Sequence, residues 1–206
     1  VFTESAMNEI VPDVFTWSRW SEPHGYDFNG YLVRHADGNL CIDPVQPQDD
    51  VLSRIERLGV AKILLTNRNH SRAANLVRER TGAPVLIAPD DAQHAKDQGT
   101  PIDGALNAGD TIGPFTVVSA AGKSPGEVAF FWRVRRMLFV GDVVIGNPPG
   151  RCSLLREKVM DDPARLRRSV VELAKLDFDA LLVGDGVSIL GAAKPRLLEL
   201  VQTFAA

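Results

Sequence analysis

Cysteine is nearly absent from this chain. Cys41 and Cys152 stand alone in 206 residues and neither belongs to a C-x-x-C pair. A zinc knuckle is therefore excluded, as is a disulfide framework of the kind that staples small secreted folds. Long apolar runs are missing as well. No stretch approaches the about 20 residues of a membrane span, and the first residues lack the basic-then-apolar order of a secretory signal. A cytosolic protein with no membrane partner is the expectation. Charge of one sign is also scarce: 23 Lys and Arg against 26 Asp and Glu leave a net charge of -3. A phosphate-backbone partner would call for a basic stripe, so nucleic acid is excluded. The one basic knot, Arg133-Val134-Arg135-Arg136, lies between two apolar runs and reads as a solvated hairpin tip.

What is present is ordinary for a globular protein: 45% hydrophobic residues, 24% charged, with 17 Gly and 13 Pro spread through the chain. A length of 206 residues fits one domain, residues 1–206, with two internal halves, and suffices to bury roughly 70% of the unfolded surface. The first half reads as strands followed by alternating helix and strand. Residues 14–20 alternate apolar and polar side chains, as a half-buried strand does. Residues 21–28 are loop chemistry with two aromatics. Residues 31–35 and 39–42 flank Asp37-Gly38, a strong hairpin signal. Residues 49–58 open with two acids, place apolar side chains at 51, 52, 55 and 58, and stop at Gly59, which describes an amphipathic helix. A short polar helix is expected over 90–97, with His94 exposed.

The second half is richer in strands, at 116–119, 128–134, 137–140 and 180–183, with a capped helix over 161–176 and a last helix over 192–204. Residues 143–160 are irregular and rich in Gly and Pro, so they are a candidate loop over a pocket. Cys41 reads as a small core residue. Cys152, in the irregular stretch, has no histidine near it in sequence to make it a nucleophile.

The densest chemistry lies in Lys62-Ile63-Leu64-Leu65-Thr66-Asn67-Arg68-Asn69-His70-Ser71-Arg72. A short apolar run empties into a polar block, as a buried strand empties into a loop. Ligands of open α/β sheets bind at such carboxyl ends.

That block resembles the Thr-His-x-His-x-Asp-His motif of the metallo-β-lactamase superfamily, in the frame Thr66 to Arg72. Further blocks follow in the family's order. Gly122-Lys123-Ser124-Pro125-Gly126-Glu127 is similar to its Gly-His-Ser-Pro-Gly-His, Leu138-Phe139-Val140-Gly141-Asp142 to its Leu-Phe-Thr-Gly-Asp, and Val183-Gly184-Asp185-Gly186 to its Pro-Gly-His-Gly. Asn29-Gly30-Tyr31-Leu32 and Ile42-Asp43-Pro44 resemble its early strands. The resemblance implies an α+β fold, a four-layer αββα sandwich. It also implies that Trp20, His24 and Tyr26 line a pocket rim, against which the favoured reading of that stretch is a surface loop pinned by its aromatics.

In the resembled family the positions matching 67, 69 and 123 hold one zinc ion, those matching 71, 72 and 185 a second, and the position matching Asp142 bridges them. Here Asn67, Asn69, Lys123, Ser71 and Arg72 stand there instead, and neither a protonated Lys nor an Arg donates a lone pair. The expectation is therefore a hydrolase-like protein with no metal cofactor and no dinuclear zinc site. Arg72 and Lys123 would neutralise Asp142 and Asp185, with Asn67, Asn69 and His70 completing a hydrogen-bonded cluster that binds a small polar or anionic ligand. Three alternatives stay open: a cluster that only holds the two halves together in a non-catalytic relative, one ion held by Asp142, Asp185 and His70 with Asn67 or Asn69, or metal-free acid/base chemistry at His70 or Lys123. Glu127 is expected to be a surface strand residue. Substrate and oligomeric state are not legible.

Overall fold

The computed structural model describes residues 6–205, which form two compact units, residues 6–106 and residues 107–205. The first unit is built on a seven-stranded sheet whose strands lie in chain order. β1 (Asn8–Val11), β2 (Val14–Ser21), β3 (Tyr26–Val33) and β4 (Leu40–Ile42) form an antiparallel meander. β5 (Lys62–Leu64), β6 (Val85–Ile87) and β7 (Gly104–Ala105) then add in parallel. Parallel neighbours need crossovers, and these are α1 (Asp49–Leu58), α2 (Ala74–Thr81) and α3 (Pro89–Asp97).

Helix ends follow the local chemistry. Asp49 and Asp50 sit in the first turn of α1, and Gly59, at φ 74°, ends it. Pro89 opens α3 at the first helical position. One core joins the helices to one face of the sheet: Val51 and Ile55 of α1, Ala74 and Val77 of α2 and Ala95 of α3 pack with Phe15, Trp17, Leu32, Cys41, Ile63 and Val85. Gly30 is fixed by this packing, because a Cβ there would come within 2.7 Å of the Trp17 ring.

The second unit has a five-stranded sheet in the order β12-β11-β10-β9-β8, made of β8 (Thr111–Ile112), β9 (Phe115–Ser119), β10 (Val128–Trp132), β11 (Met137–Phe139) and β12 (Ala180–Leu182). All pairs are antiparallel except β11 with β12, which α4 (Pro163–Leu173) connects. α5 (Ala193–Gln202) follows β12. Leu166, Val170 and Leu173 of α4 and Ala193 and Leu197 of α5 pack on Ala129, Phe131, Leu138 and Leu181. Each unit thus supplies a sheet and a helix layer, consistent with the α+β class expected.

Two expectations shift. Residues 26–28 belong to β3, so the early loop shrinks to the turn 22–25. β1, β7 and β8 were not foreseen, because strands of two to four residues are too short for alternation to register. The basic knot is a hairpin tip as expected, with Arg133 over the Phe131 ring, Arg135 over that of Trp132 and Val134 90% exposed. Among the described residues no helix is long and apolar enough to cross a membrane.

Candidate functional site

In the first unit the polar block after β5 winds into a 3-10 turn, Arg68–Ser71. Asn67 caps it, its side-chain oxygen accepting the Asn69 N–H at 2.9 Å. The Arg68 N–H donates to Asp91 in the first turn of α3 at 2.9 Å, which ties the turn to the sheet's crossover. His70 and Asn67 are buried, whereas Asn69 and Arg72 are exposed.

His70 is held by a residue the sequence reading passed over. Asp43, at the end of β4, accepts the Thr66 N–H at 2.8 Å and the Thr66 hydroxyl at 2.6 Å, and its Oδ2 lies 2.9 Å from His70 Nδ1. The Thr66 hydroxyl spends its proton on Asp43, so the His70–Asp43 contact requires a proton on Nδ1. A neutral His70 is thereby left with its lone pair on Nε2. Asp43 carries φ 47°, a left-handed backbone uncommon for a non-glycine residue and typical of places where a side chain must be aimed. The signal was on the page: an acid between a buried apolar strand and a proline, in one of the blocks that carried the resemblance.

Arg72 corrects an expectation. It is not a buried cation: its guanidinium lies over the Phe28 ring, 4.4 Å from the centroid, and the side chain is exposed. Among the described residues it makes no hydrogen bond or ion pair. The 3-10 turn re-aims every side chain after Asn67.

In the second unit Lys123 Nζ lies 2.8 Å from Asp142 Oδ2, with the two side chains 8% and 6% exposed. The lysine sits in a loop clamped by α4. The Asp161 and Asp162 N–H groups donate to the Lys123 and Gly122 carbonyls, and the Ser169 hydroxyl donates to the Ala121 carbonyl. Gly122, at φ 147°, can be nothing larger, since a Cβ would fall 2.3 Å from the Leu166 nitrogen.

Asp142 lies in the turn after β11, and its N–H donates to Glu127 Oε1 at 3.1 Å. Glu127 is therefore not the surface residue expected; it is 1% exposed. Alternation misassigned it because β10, which it precedes, is buried at every position. Asp185, 5% exposed, follows β12, where its carbonyl accepts the Gly146 N–H at 2.9 Å. Gly146 and Gly186 approach so closely that a Cβ on either would strike the other's neighbourhood below 3 Å. Carboxylate oxygens of Asp142 and Asp185 lie within 4.8 Å of each other. Lys123 is thus paired with Asp142, which lies beside both Asp185 and Glu127.

Neither cysteine belongs to this chemistry. Burial pushes the Cys152 thiol up to about 11, with Glu199 adding to the shift, and burial raises Cys41 further. Both are poor nucleophiles.

A sequence profile described as the metallo-β-lactamase superfamily matches residues 7–204, running through both units. Compared with curated protein sequences, the chain matches none. Among solved structures it is similar to TTHA1623 in a di-iron-bound form, at 24% identity and a TM-score of 0.69 over 88% of this chain and 98% of that one. The FIM-1 metallo-β-lactamase from Pseudomonas aeruginosa, in its mono-zinc form, is 16% identical with a TM-score of 0.76 over 97% and 96%. A metallo-β-lactamase from Pontibacter korlensis is 17% identical with a TM-score of 0.77 over 96% and 98%. At these identities the likeness shows the fold.

Proposed function

The chain belongs to the metallo-β-lactamase superfamily, and from that premise we propose that it is a member without a dinuclear zinc site, a protein that binds a small polar or anionic ligand. One observation carries this reading: the Lys123 ammonium sits on Asp142, the residue whose counterpart in the resembled family bridges two metal ions. A protonated lysine offers no lone pair and brings its positive charge to the carboxylate a metal would use. Asn67 has its side-chain oxygen engaged on the backbone of its own turn, and Arg72 is turned to solvent. The residues present therefore do not fit a two-zinc centre. The exposed Arg72 guanidinium is the group best suited to an anionic ligand. A cytosolic setting belongs to the same reading, and the two free thiols fit a reducing compartment.

A second reading, a hydrolase with an atypical single-metal site or metal-free acid/base catalysis, is favoured by two observations. Within the second unit the buried Lys123 ammonium lies on Asp142, whose carboxylate is within 4.8 Å of that of Asp185, with Glu127 also buried beside Asp142. Like charges at that spacing call for a proton or a further cation. In addition, Asp43 fixes His70 in the tautomer that a general base or a metal-bound imidazole uses.

Thermal melts separate the readings. Chelator, added zinc and added ferrous iron are each expected to leave the midpoint within about 2 °C of the untreated protein, since a ligand that binds only the folded state must raise it. A fall on chelation restored by either metal favours the single-metal reading and overturns the first.

A further inference from the structure

We propose that Arg72 and the aromatic residues beneath it form a subsite for the carboxylate of a ligand that also carries a flat ring. This deepens the anion-binding reading above and rests on it. Arginine stacked on an aromatic face keeps its N–H groups in the plane of the guanidinium, so the whole donor edge is left for a ligand. The Arg72 Cζ lies over the Phe28 ring, 4.4 Å from its centroid, the side chain is exposed, and among the described residues nothing accepts from its guanidinium.

The pedestal is built rather than accidental. Phe28 is half-buried in β3 and packs against the core of its unit, so it cannot swing away. The His24 and Tyr26 rings stand around it at 5.3 and 6.1 Å, and at 5.7 Å from each other. His24 is itself fixed, its Nδ1 2.7 Å from the Ser21 hydroxyl. Trp20, 44% exposed, stands on β2 in register with Asp27 of β3.

Ordering is thus done before a ligand arrives. Stacking fixes the long arginine side chain, which otherwise loses its rotamer freedom on binding. A planar fork matches a carboxylate with two parallel hydrogen bonds, and neighbouring aromatic faces favour a ring attached to that carboxylate. A ring without the charge, or the charge without the ring, engages only half of the surface.

Benzoate is the probe, with benzamide supplying the ring alone, acetate the charge alone and inorganic phosphate a different anion. The readout is the Arg72 Nε–Hε cross-peak with the His24 ring resonances, titrated to about 10 mM, a range that captures weak millimolar binding. Benzoate is expected to shift both sets saturably, with benzamide and acetate at least tenfold weaker. Arg72→Met should weaken benzoate tenfold or more, read on His24, and Arg72→Lys by less. Phe28→Leu, which keeps apolar bulk but removes the ring, should weaken it with the arginine intact.

Equal benzoate binding by wild type and Arg72→Met overturns the subsite while leaving anion binding elsewhere on the protein standing. Saturable phosphate binding without benzoate binding likewise overturns it and leaves the anion reading intact. Failure of every anion removes both.

Discussion

At the scale of single residues the two cations of the expected cluster part company. Lys123 is buried against Asp142, whereas Arg72 is exposed over Phe28. Removing one partner of a buried pair strands the other's charge, so Lys123→Met is expected to cost about 3–5 kcal/mol in urea denaturation at neutral pH. Arg72→Met removes an exposed cation–π contact and should cost no more than about 1 kcal/mol. Equal losses would contradict the assignment. The thiols give a second test. Burial raises both, so native protein at pH 8 should be labelled slowly at Cys152 and not at Cys41, while denatured protein exposes two reactive thiols. A thiol raised in the folded state stabilises it fully below 9.0 and loses that contribution as pH rises toward about 11. Lys123 and Asp142 could be named from sequence because charge replacing charge leaves a mark in a motif. Arg72's direction could not, since a turn of four residues after Asn67 decides it and its hydrogen bonds to Asp91 and Asn67 are invisible in one dimension.

Elements were the most legible level where their period is long. α1 begins and ends where its acids and Gly59 require, and α4 starts at Asp162-Pro163 with the Asp162 carboxylate accepting the Arg165 N–H at 2.8 Å. Asp162→Ala should therefore cost about 1 kcal/mol in the urea midpoint. Short edge strands escaped notice, and so did Glu127, because a strand buried on both faces has no polar alternation to show which way its flanking residues point. The clamp between α4 and the 121–123 loop was likewise hidden, being made by backbone groups and by the absence of a side chain at Gly122. Gly122→Ala drives a Cβ into Leu166 and should cost on the order of 2–4 kcal/mol. If the lysine is positioned by this clamp, the Lys123 ammonium resonance should move in any folded Gly122→Ala protein, and an unmoved resonance would separate loop from lysine.

At the scale of the molecule, the sequence blocks and the architecture agree: two sheets and five α-helices among the described residues, and a superfamily profile that runs through both units. In the proposed reading the two-metal chemistry does not come with the fold. A side-chain ammonium stands on Asp142, and two more carboxylates, Glu127 and Asp185, are buried in the same unit. The account turns on whether a metal ion is held among these carboxylates. Elemental analysis of protein purified without a histidine tag and exchanged into metal-free buffer decides it. The account predicts zinc, iron and manganese each well below one equivalent per chain; one equivalent or more of any of them, surviving exchange, would contradict it.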